Sequence, residues 1–211
     1  GLAFAALAQG QAPLVAETAL HPDDSQRRAT EVILHIIDTY HYKKRPLDDA
    51  LSGRMLENYL KILDANRSFF LQADIDEFEK YRTELDDDLR QPELTPAFTI
   101  FLRYRQRVAE RVNFAAGQLG GSFDFESNES FYFDRRKEPW AAGDATLNEY
   151  WRKRVKNDVL NLKIAGKTPD QKSRNCAIAH RILQDSPLAA GQSSGVDLGS
   201  RDVPCGRMTS P

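Results

Sequence analysis

The chain has 211 residues, of which 41% are hydrophobic and 28% are charged, and its net charge is −2 at neutral pH. A chain of this length and composition is expected to form one domain with one core. Because the two signs of charge are interspersed, the composition argues against a nucleic-acid surface, which needs a basic face. No run approaches the roughly 20 apolar residues that a membrane-spanning helix requires.

The first residues are similar to the end of an export signal. Residues 2–8 are apolar and finish in Ala6-Leu7-Ala8, a small-x-small pattern that suits signal peptidase. We therefore expect residues 1–19 to hold a signal-peptide remnant and an extended segment, with a flexible alanine-rich tail as the alternative.

The first third of the chain predicts two amphipathic helices. Residues 24–40 carry apolar residues at helical spacing, which predicts one buried face, at Ile33, Ile36, Ile37 and Tyr40. Pro46 ends the segment that follows, and Asp48 or Asp49 can cap a second helix. The second helix is apolar over a wide arc and is expected to be central, through Leu51, Met55, Leu56, Tyr59, Leu60, Ile62 and Leu63.

Three further helices follow. Asp74 and Glu77 have the spacing of a capping box, which predicts a helix that begins at Asp74 and continues through Phe78, Arg82, Leu85 and Leu89. Thr95-Pro96 supplies a cap and a first-turn proline, and Gly117 and Gly120-Gly121 end that helix. Its inward residues are expected to be Phe98, Phe101, Leu102, Val108, Val112 and Ala115. Thr146 caps the last helix, which ends before Gly166 and turns inward Leu147, Tyr150, Trp151, Val155, Val159 and Leu162.

Residues 117–145 have no clean period but are rich in aromatic side chains. A loop this long is uncommon in a compact domain, so its aromatic residues are expected to pack over the helices. They are Phe123, Phe125, Phe131, Tyr132, Phe133 and Trp140. The whole pattern predicts an all-α fold: an irregular bundle of about five amphipathic helices, one long aromatic-rich loop and a poorly ordered C-terminal tail.

The residues predict no catalytic, metal-binding or cofactor-binding site, and no cofactor. The four histidines, His21, His35, His41 and His180, lack the spacing of metal ligands, and no phosphate loop or nucleophile elbow is present. Asp86-Asp87-Asp88 fan out around a helix, which favours a solvated helix end over a cation site. The basic clusters are interpreted as solvated faces: Lys43-Lys44-Arg45, Arg135-Arg136-Lys137 and Arg152-Lys153-Arg154.

Two collinear blocks resemble the helical N-terminal region of the tail-specific (carboxy-terminal processing) proteases. The first block contains His41-Tyr42, Leu47-Asp48, Ala50-Leu51-Ser52, the run from Tyr59 to Asp64 and the run from Phe70 to Phe78. The second contains Phe123-Asp124-Phe125, Asp134-Arg135, Pro139-Trp140, Leu147-Asn148, Trp151 and the run from Lys153 to Thr168. The likeness covers about residues 14–171, and its collinear order makes it specific.

In that family the full-length enzyme is a periplasmic serine endopeptidase with a Ser/Lys dyad, and a PDZ domain holds the apolar, unstructured C-terminus of its protein substrates. The resemblance implies that residues 20–171 form a scaffold that walls the proteolytic chamber. No catalytic residue is carried over, and this chain is expected to be inactive.

The resemblance also implies a homodimer or a lipoprotein adaptor as partner of these helices. The alternative is a helical dimerisation or adaptor-binding module with no protease role of its own. The candidate interface residues are Phe131, Tyr132, Phe133 and Trp140, although covering their own core is the competing role.

Residues 172–211 depart from the family pattern and contain both cysteines, Cys176 and Cys205. The codons for residues 182–192, read one nucleotide later, can encode the Tyr-Lys-x-x-Leu-x-Arg-Leu type of pattern expected there. Our hypothesis is a reading-frame shift near residue 172, with a natural short form or a vector-derived end as alternatives. Such a tail is expected to be disordered.

Overall fold

A computed structural model describes residues 20–40 and 46–166. Within these ranges the chain forms six α-helices: α1 Asp24–Tyr40, α2 Asp49–Leu63, α3 Gln72–Phe78, α4 Leu85–Arg90, α5 Thr95–Leu119 and α6 Asp144–Ile164. A 3-10 segment, Glu79–Thr83, lies between α3 and α4. The all-α prediction is confirmed. The predictions for residues 1–19 and 172–211 lie outside the described residues.

The core is centred on the turn between α2 and α3, where aromatic rings from three parts of the chain meet. Trp151 of α6 is fully buried, and its ring centroid lies 5.5 Å from that of Phe69. Phe69 in turn contacts Tyr104 of α5 edge to face, again at 5.5 Å. Trp151 Nε1 donates a 2.7 Å hydrogen bond to the carbonyl oxygen of Ser68. This network ties α5 and α6 to the turn.

Asp64 holds that turn in shape. Its two carboxylate oxygens accept hydrogen bonds from the backbone N–H groups of Ser68 at 2.8 Å, Phe69 at 2.9 Å and Phe70 at 3.0 Å. Burial raises the pKa of Asp64, and these hydrogen bonds counteract part of that rise. Because the buried N–H groups have partners, a tight non-helical turn can lie inside the core.

The buried face of α2 is narrower than the sequence predicts. Leu56, Leu60 and Leu63 are buried, whereas Ile62 is 66% exposed, so the prediction that Ile62 points inward is wrong. The reason is geometric, since Ile62 lies to one side of the row formed by the three leucines. Asp48 is confirmed as the cap, because its Oδ1 accepts a 2.8 Å hydrogen bond from Leu51 N.

The predicted third helix is split by a side chain from α2. The hydroxyl of Ser52 donates to the carbonyl oxygen of Tyr81 at 3.4 Å and accepts from the backbone N–H of Leu85 at 3.0 Å. These two backbone groups would bond each other in a continuous helix, so the inserted hydroxyl interrupts the helix between α3 and α4. This contact spans about thirty residues and explains why six helices form where about five are predicted.

The predicted start of α3 is also corrected. The helix begins at Gln72, and Asp74 lies in its first turn rather than at its cap. The Asp74 carboxylate accepts a 2.9 Å hydrogen bond from the backbone N–H of Leu71, as the third residue of a capping box does. The capping box is therefore formed at Leu71 and Asp74, three residues before the predicted pair of Asp74 and Glu77.

Two helix starts and one helix stop differ from the predictions by a few residues. Thr95 and Thr146 lie inside the first turns of α5 and α6, whose caps are Leu94 and Gly143. Gly117 lies within α5, and the helix ends before Gly120. The predicted stop at Gly166 is confirmed by its φ of 67°, a left-handed conformation that glycine adopts without strain.

The facing rows of α5 and α6 complete the core. In α6 four of the six predicted residues are buried, namely Leu147, Trp151, Val155 and Val159, whereas Tyr150 and Leu162 are only half-buried. In α5, Val108 and Ala115 are buried as predicted, but the other buried residues are Pro96, Ile100, Tyr104, Arg111 and Leu119. The other predicted residues are only half-buried: Phe98, Phe101, Leu102 and Val112. They lie beside the buried row of α5 rather than on it.

The first helix has no buried residue at all. The row that predicts a buried face is exposed: Ile33 by 55%, Ile36 by 50%, Ile37 by 50% and Tyr40 by 76%. Within the described ranges α1 contacts α4, but no other element covers the apolar row of α1. The predicted burial of this face is therefore wrong. Over these same ranges, no helix combines the length and apolarity needed to cross a bilayer.

Candidate interaction surface

The four aromatic residues predicted as an interface divide into two pairs. Tyr132 is 78% exposed and Phe133 is 57% exposed, whereas Phe131 and Trp140 are half-buried. The exposed pair is available to a partner, and the half-buried pair supports the loop that carries it.

Trp140 covers the core. Its ring lies 6.1 Å from that of Phe70, and the Arg67 guanidinium lies 5.1 Å from the Trp140 centroid. The following residue, Ala141, accepts a 2.8 Å hydrogen bond from Gln72 N and forms an isolated parallel bridge with Leu71. Trp140 therefore fastens the end of the loop to the turn.

Phe131 supports Phe133. The two rings meet edge to face at 4.6 Å, and Phe131 also lies 5.3 Å from Tyr150 of α6. The Arg135 guanidinium lies 4.6 Å from the Tyr150 centroid. Phe133 is thus held at the surface by contacts between aromatic rings that connect it to α6.

Charged groups anchor the beginning of the loop to α6. Glu129 accepts hydrogen bonds from Arg152 Nη2 at 2.6 Å and from Lys156 Nζ at 2.7 Å, which lower the pKa of Glu129 to about 2. Lys156 Nζ also donates to Ser127 Oγ at 2.6 Å. The loop is therefore attached to α6 in its first half and to the turn near its end.

A small pocket opens beside Phe133. Its volume is about 140 Å³, and Ile62 and Phe133 form its exposed apolar edges. Asp64, Tyr150 and Arg154 supply its titratable groups. The other lining residues are Leu63, Ala65, Asn66, Ser68 and Phe69. The pocket thus joins the end of α2, the turn, the loop and α6.

The burial of two residues of this site differs from the prediction. Arg154 belongs to a cluster predicted as a solvated face, yet it is buried, lies 4.6 Å from the Trp151 centroid and bonds the Tyr150 hydroxyl. Ile62 is predicted as core and lies at the surface. The displacement of Ile62 from the Leu56, Leu60 and Leu63 row is the signal that could have identified it.

The predicted solvated end at Asp86-Asp87-Asp88 is also only partly right. Asp87 is exposed, but Asp86 is buried and accepts a 3.2 Å hydrogen bond from Arg90 Nη1. No group of three or more His, Cys, Asp or Glu side chains within residues 20–40 and 46–166 is arranged to hold a metal ion.

The pocket's titratable groups favour binding over proton transfer. Burial raises the pKa of Tyr150, although the positive charges of Arg154 and Arg135 oppose that rise, so the phenol is neutral at physiological pH. The Asp64 carboxylate is occupied by backbone donors. The arrangement offers an apolar edge, a phenol and guanidinium groups, which suits recognition of a polypeptide.

A family model described as "Tail specific protease N-terminal domain" matches residues 33–188, which is more than half of the chain. The chain belongs to this family. In this N-terminal domain the match begins within α1, includes α2 to α6 and continues beyond Gln171, where the likeness read from the residues stops.

One curated relative agrees with this assignment. A "Tail-specific protease" of Haemophilus influenzae is 40% identical over 128 residues, which is 60% of this chain and 18% of that protein. The N-terminal domain described here therefore aligns with less than a fifth of the length of that relative.

Proposed function

We propose that these helices act as the scaffold of a periplasmic tail-specific serine endopeptidase that degrades proteins with apolar, unstructured C-termini. The family membership supports the protease context. Within it, the helices contribute a rigid wall rather than reacting groups, because the core from α2 to α6 is tightly joined through the turn at Asp64.

The observation that carries the scaffold role is the apolar row on α1, which no element within residues 20–40 and 46–166 covers. Each isoleucine removed from water stabilises a structure by about 1.5–3 kcal/mol, so a face bearing Ile33, Ile36 and Ile37 favours contact with another apolar surface. A scaffold meets other parts of an assembly through such a face.

We further propose that this 211-residue chain does not hydrolyse peptides by itself. The purified chain is incubated with an unstructured substrate that ends in apolar residues, and cleavage is followed by mass spectrometry. The Haemophilus influenzae tail-specific protease serves as the positive control. We expect no cleavage by the chain, and turnover above the no-protein control would overturn the proposal of inactivity.

The second candidate function is an assembly module, in which α1 pairs with a second copy or with a lipoprotein adaptor. The same exposed row favours it. Light scattering across a concentration series tests for the dimer, with Ile33→Ser as the variant and His35→Ser, on the opposite side of α1, as the matched control. A mass that stays monomeric at all concentrations would leave the adaptor as the only assembly partner.

Periplasmic location and the frameshift have direct tests. Fractionation of cells that express the gene from its own promoter is expected to place the chain in the periplasm, and recovery from the cytoplasm alone would contradict this. The coding DNA after codon 171 is expected to contain a shifted frame that encodes a PDZ domain and a Ser/Lys domain. An uninterrupted original frame with no such alternative would rule the frameshift out.

A further inference from the structure

The pocket between Ile62 and Phe133 has the size and edges of a site for one apolar group. We propose that it binds a single apolar side chain from an acidic segment of a partner polypeptide. This inference goes beyond the proposed scaffold role, since it assigns a second contact surface, separate from the apolar row on α1, and states the chemistry of its partner.

The volume of the pocket sets the size of the group. At about 140 Å³ it is close to the apolar cavity of about 150 Å³ that accommodates benzene. One phenylalanine ring or one branched aliphatic side chain therefore fits, and a second does not. The lining of Leu63, Phe69 and Phe133 suits such a group.

The edges of the pocket favour a partner over an empty surface. Ile62 is 66% exposed and Phe133 is 57% exposed, and they come from segments seventy residues apart in the chain. Phe133 contacts Phe131 at 4.6 Å, and Ile62 lies in the last turn of α2. Because the backbone of both edges belongs to ordered contacts of the fold, little backbone entropy is lost when a side chain enters.

The charges around the pocket select an acidic neighbour. Asp64 is the only acid among the described lining residues, and its oxygens already accept three backbone hydrogen bonds. Asp134, the exposed acid beside Phe133, is paired with Arg136 at 2.6 Å. Arg154 lines the pocket, and Lys61 is exposed beside Ile62.

Arg135, over the Tyr150 ring, has a buried Nη1 that lacks a hydrogen-bond partner. A carboxylate that follows the apolar side chain would meet this positive field, whereas a lysine or arginine would be repelled.

The test uses short fluorescent peptides and the full chain. One peptide has a central phenylalanine between aspartates, the second has the same phenylalanine between lysines, and the third has alanine between aspartates. Fluorescence anisotropy measures their binding to the chain and to three variants. Ile62→Ser and Phe133→Ser change the pocket edges, and Ile164→Ser is the matched control, because Ile164 is 75% exposed and does not line the pocket.

We expect the phenylalanine–aspartate peptide to bind, and each edge variant to weaken that binding about tenfold. Peptide binding by the Ile164→Ser variant should match that of the original chain, and the free energy of unfolding of all three variants should change little, since all three side chains are more than half exposed. Higher salt should weaken binding, because charge contributes to it.

Several outcomes would overturn the inference. They are the absence of binding by the phenylalanine–aspartate peptide, equal binding of the aspartate and lysine peptides, and unchanged binding in both edge variants. A dimer that Phe133→Ser abolishes would also overturn it, because a second copy would then occupy the pocket.

Discussion

A comparison of α1 with α6 shows that an apolar row on a helix does not by itself determine whether the row is buried. The row on α1 is the more regular of the two and is exposed by 50% or more at every large side chain. The row on α6 is less amphipathic overall, yet Leu147, Trp151 and Val155 are completely buried. The difference is that α6 has α5 and the turn at Asp64 to pack against. Periodicity therefore identifies a face suited to burial, and the rest of the fold decides whether that face is covered.

The largest effect on the free energy of unfolding is expected from Trp151→Ala, on the buried face of α6. The substitution removes the ring that joins α6 to Phe69 and the hydrogen bond to Ser68. Loss of a buried aromatic side chain costs about 3–5 kcal/mol. Urea unfolding followed by circular dichroism measures the change, and a loss below about 1 kcal/mol would show that α6 does not depend on this contact.

Asp74→Asn should have the next largest effect. The Asp74 carboxylate is 1% exposed and bonds Arg107 Nε at 2.8 Å and Arg103 Nη1 at 2.6 Å, which ties α3 to α5. Loss of the charge leaves two arginines without their buried partner, and we expect a cost of about 3 kcal/mol in the free energy of unfolding. The isosteric Asp76→Asn, at an exposed position of the same helix, is the control.

The same carboxylate gives a pH dependence of known sign. Burial opposes ionisation of Asp74, but the hydrogen bonds from Arg107, the Leu71 N–H and Arg103 outweigh it and lower its pKa. A lowered folded-state pKa contributes stability that is present above the unfolded-state pKa of about 3.9 and is lost as the pH falls below it. Asp64 acts in the opposite direction, because its pKa is raised.

Unfolding free energies of the original chain and of Asp74→Asn, measured from neutral pH down to about pH 3, isolate this contribution. The two curves should approach each other at the acidic end. Curves that stay parallel would show that Asp74 has the same pKa in both states.

A smaller effect is expected from Ser52→Ala. The hydroxyl is fully buried and satisfies both Tyr81 O and Leu85 N, so its loss should cost about 1–2 kcal/mol. The freed backbone groups can then bond each other, and the amide of Leu85 should remain protected from hydrogen exchange. Rapid exchange at Leu85 would show that the helix break has another cause.

The smallest effect on the free energy of unfolding should come from Ile36→Ser, on the exposed face of α1. Since Ile36 is 50% exposed on a helix with no buried residue, the free energy of unfolding of the isolated chain should change by less than about 0.5 kcal/mol. A loss as large as that of Trp151→Ala would mean that α1 packs against the core in solution.

The sequence predicts most of the helices but few of the contacts between them. Most of the α6 row is recovered because Leu147, Trp151 and Val155 repeat at four-residue spacing. The break after α3 is missed because it arises from Ser52, which is distant in the chain. Of the candidate surface, Phe133 is found from the aromatic loop, but Ile62 is missed, since an apolar residue on a central helix is ordinarily core.

The two attachments of the loop determine what a cut in it would do. Glu129 bonds Arg152 and Lys156 before the exposed Arg136 and Lys137, and Ala141 bonds Gln72 after them. A trypsin cut at Arg136 or Lys137 would therefore separate the chain into two pieces without separating the fold. The nicked protein should migrate as two bands under denaturing conditions and as a single species under native ones.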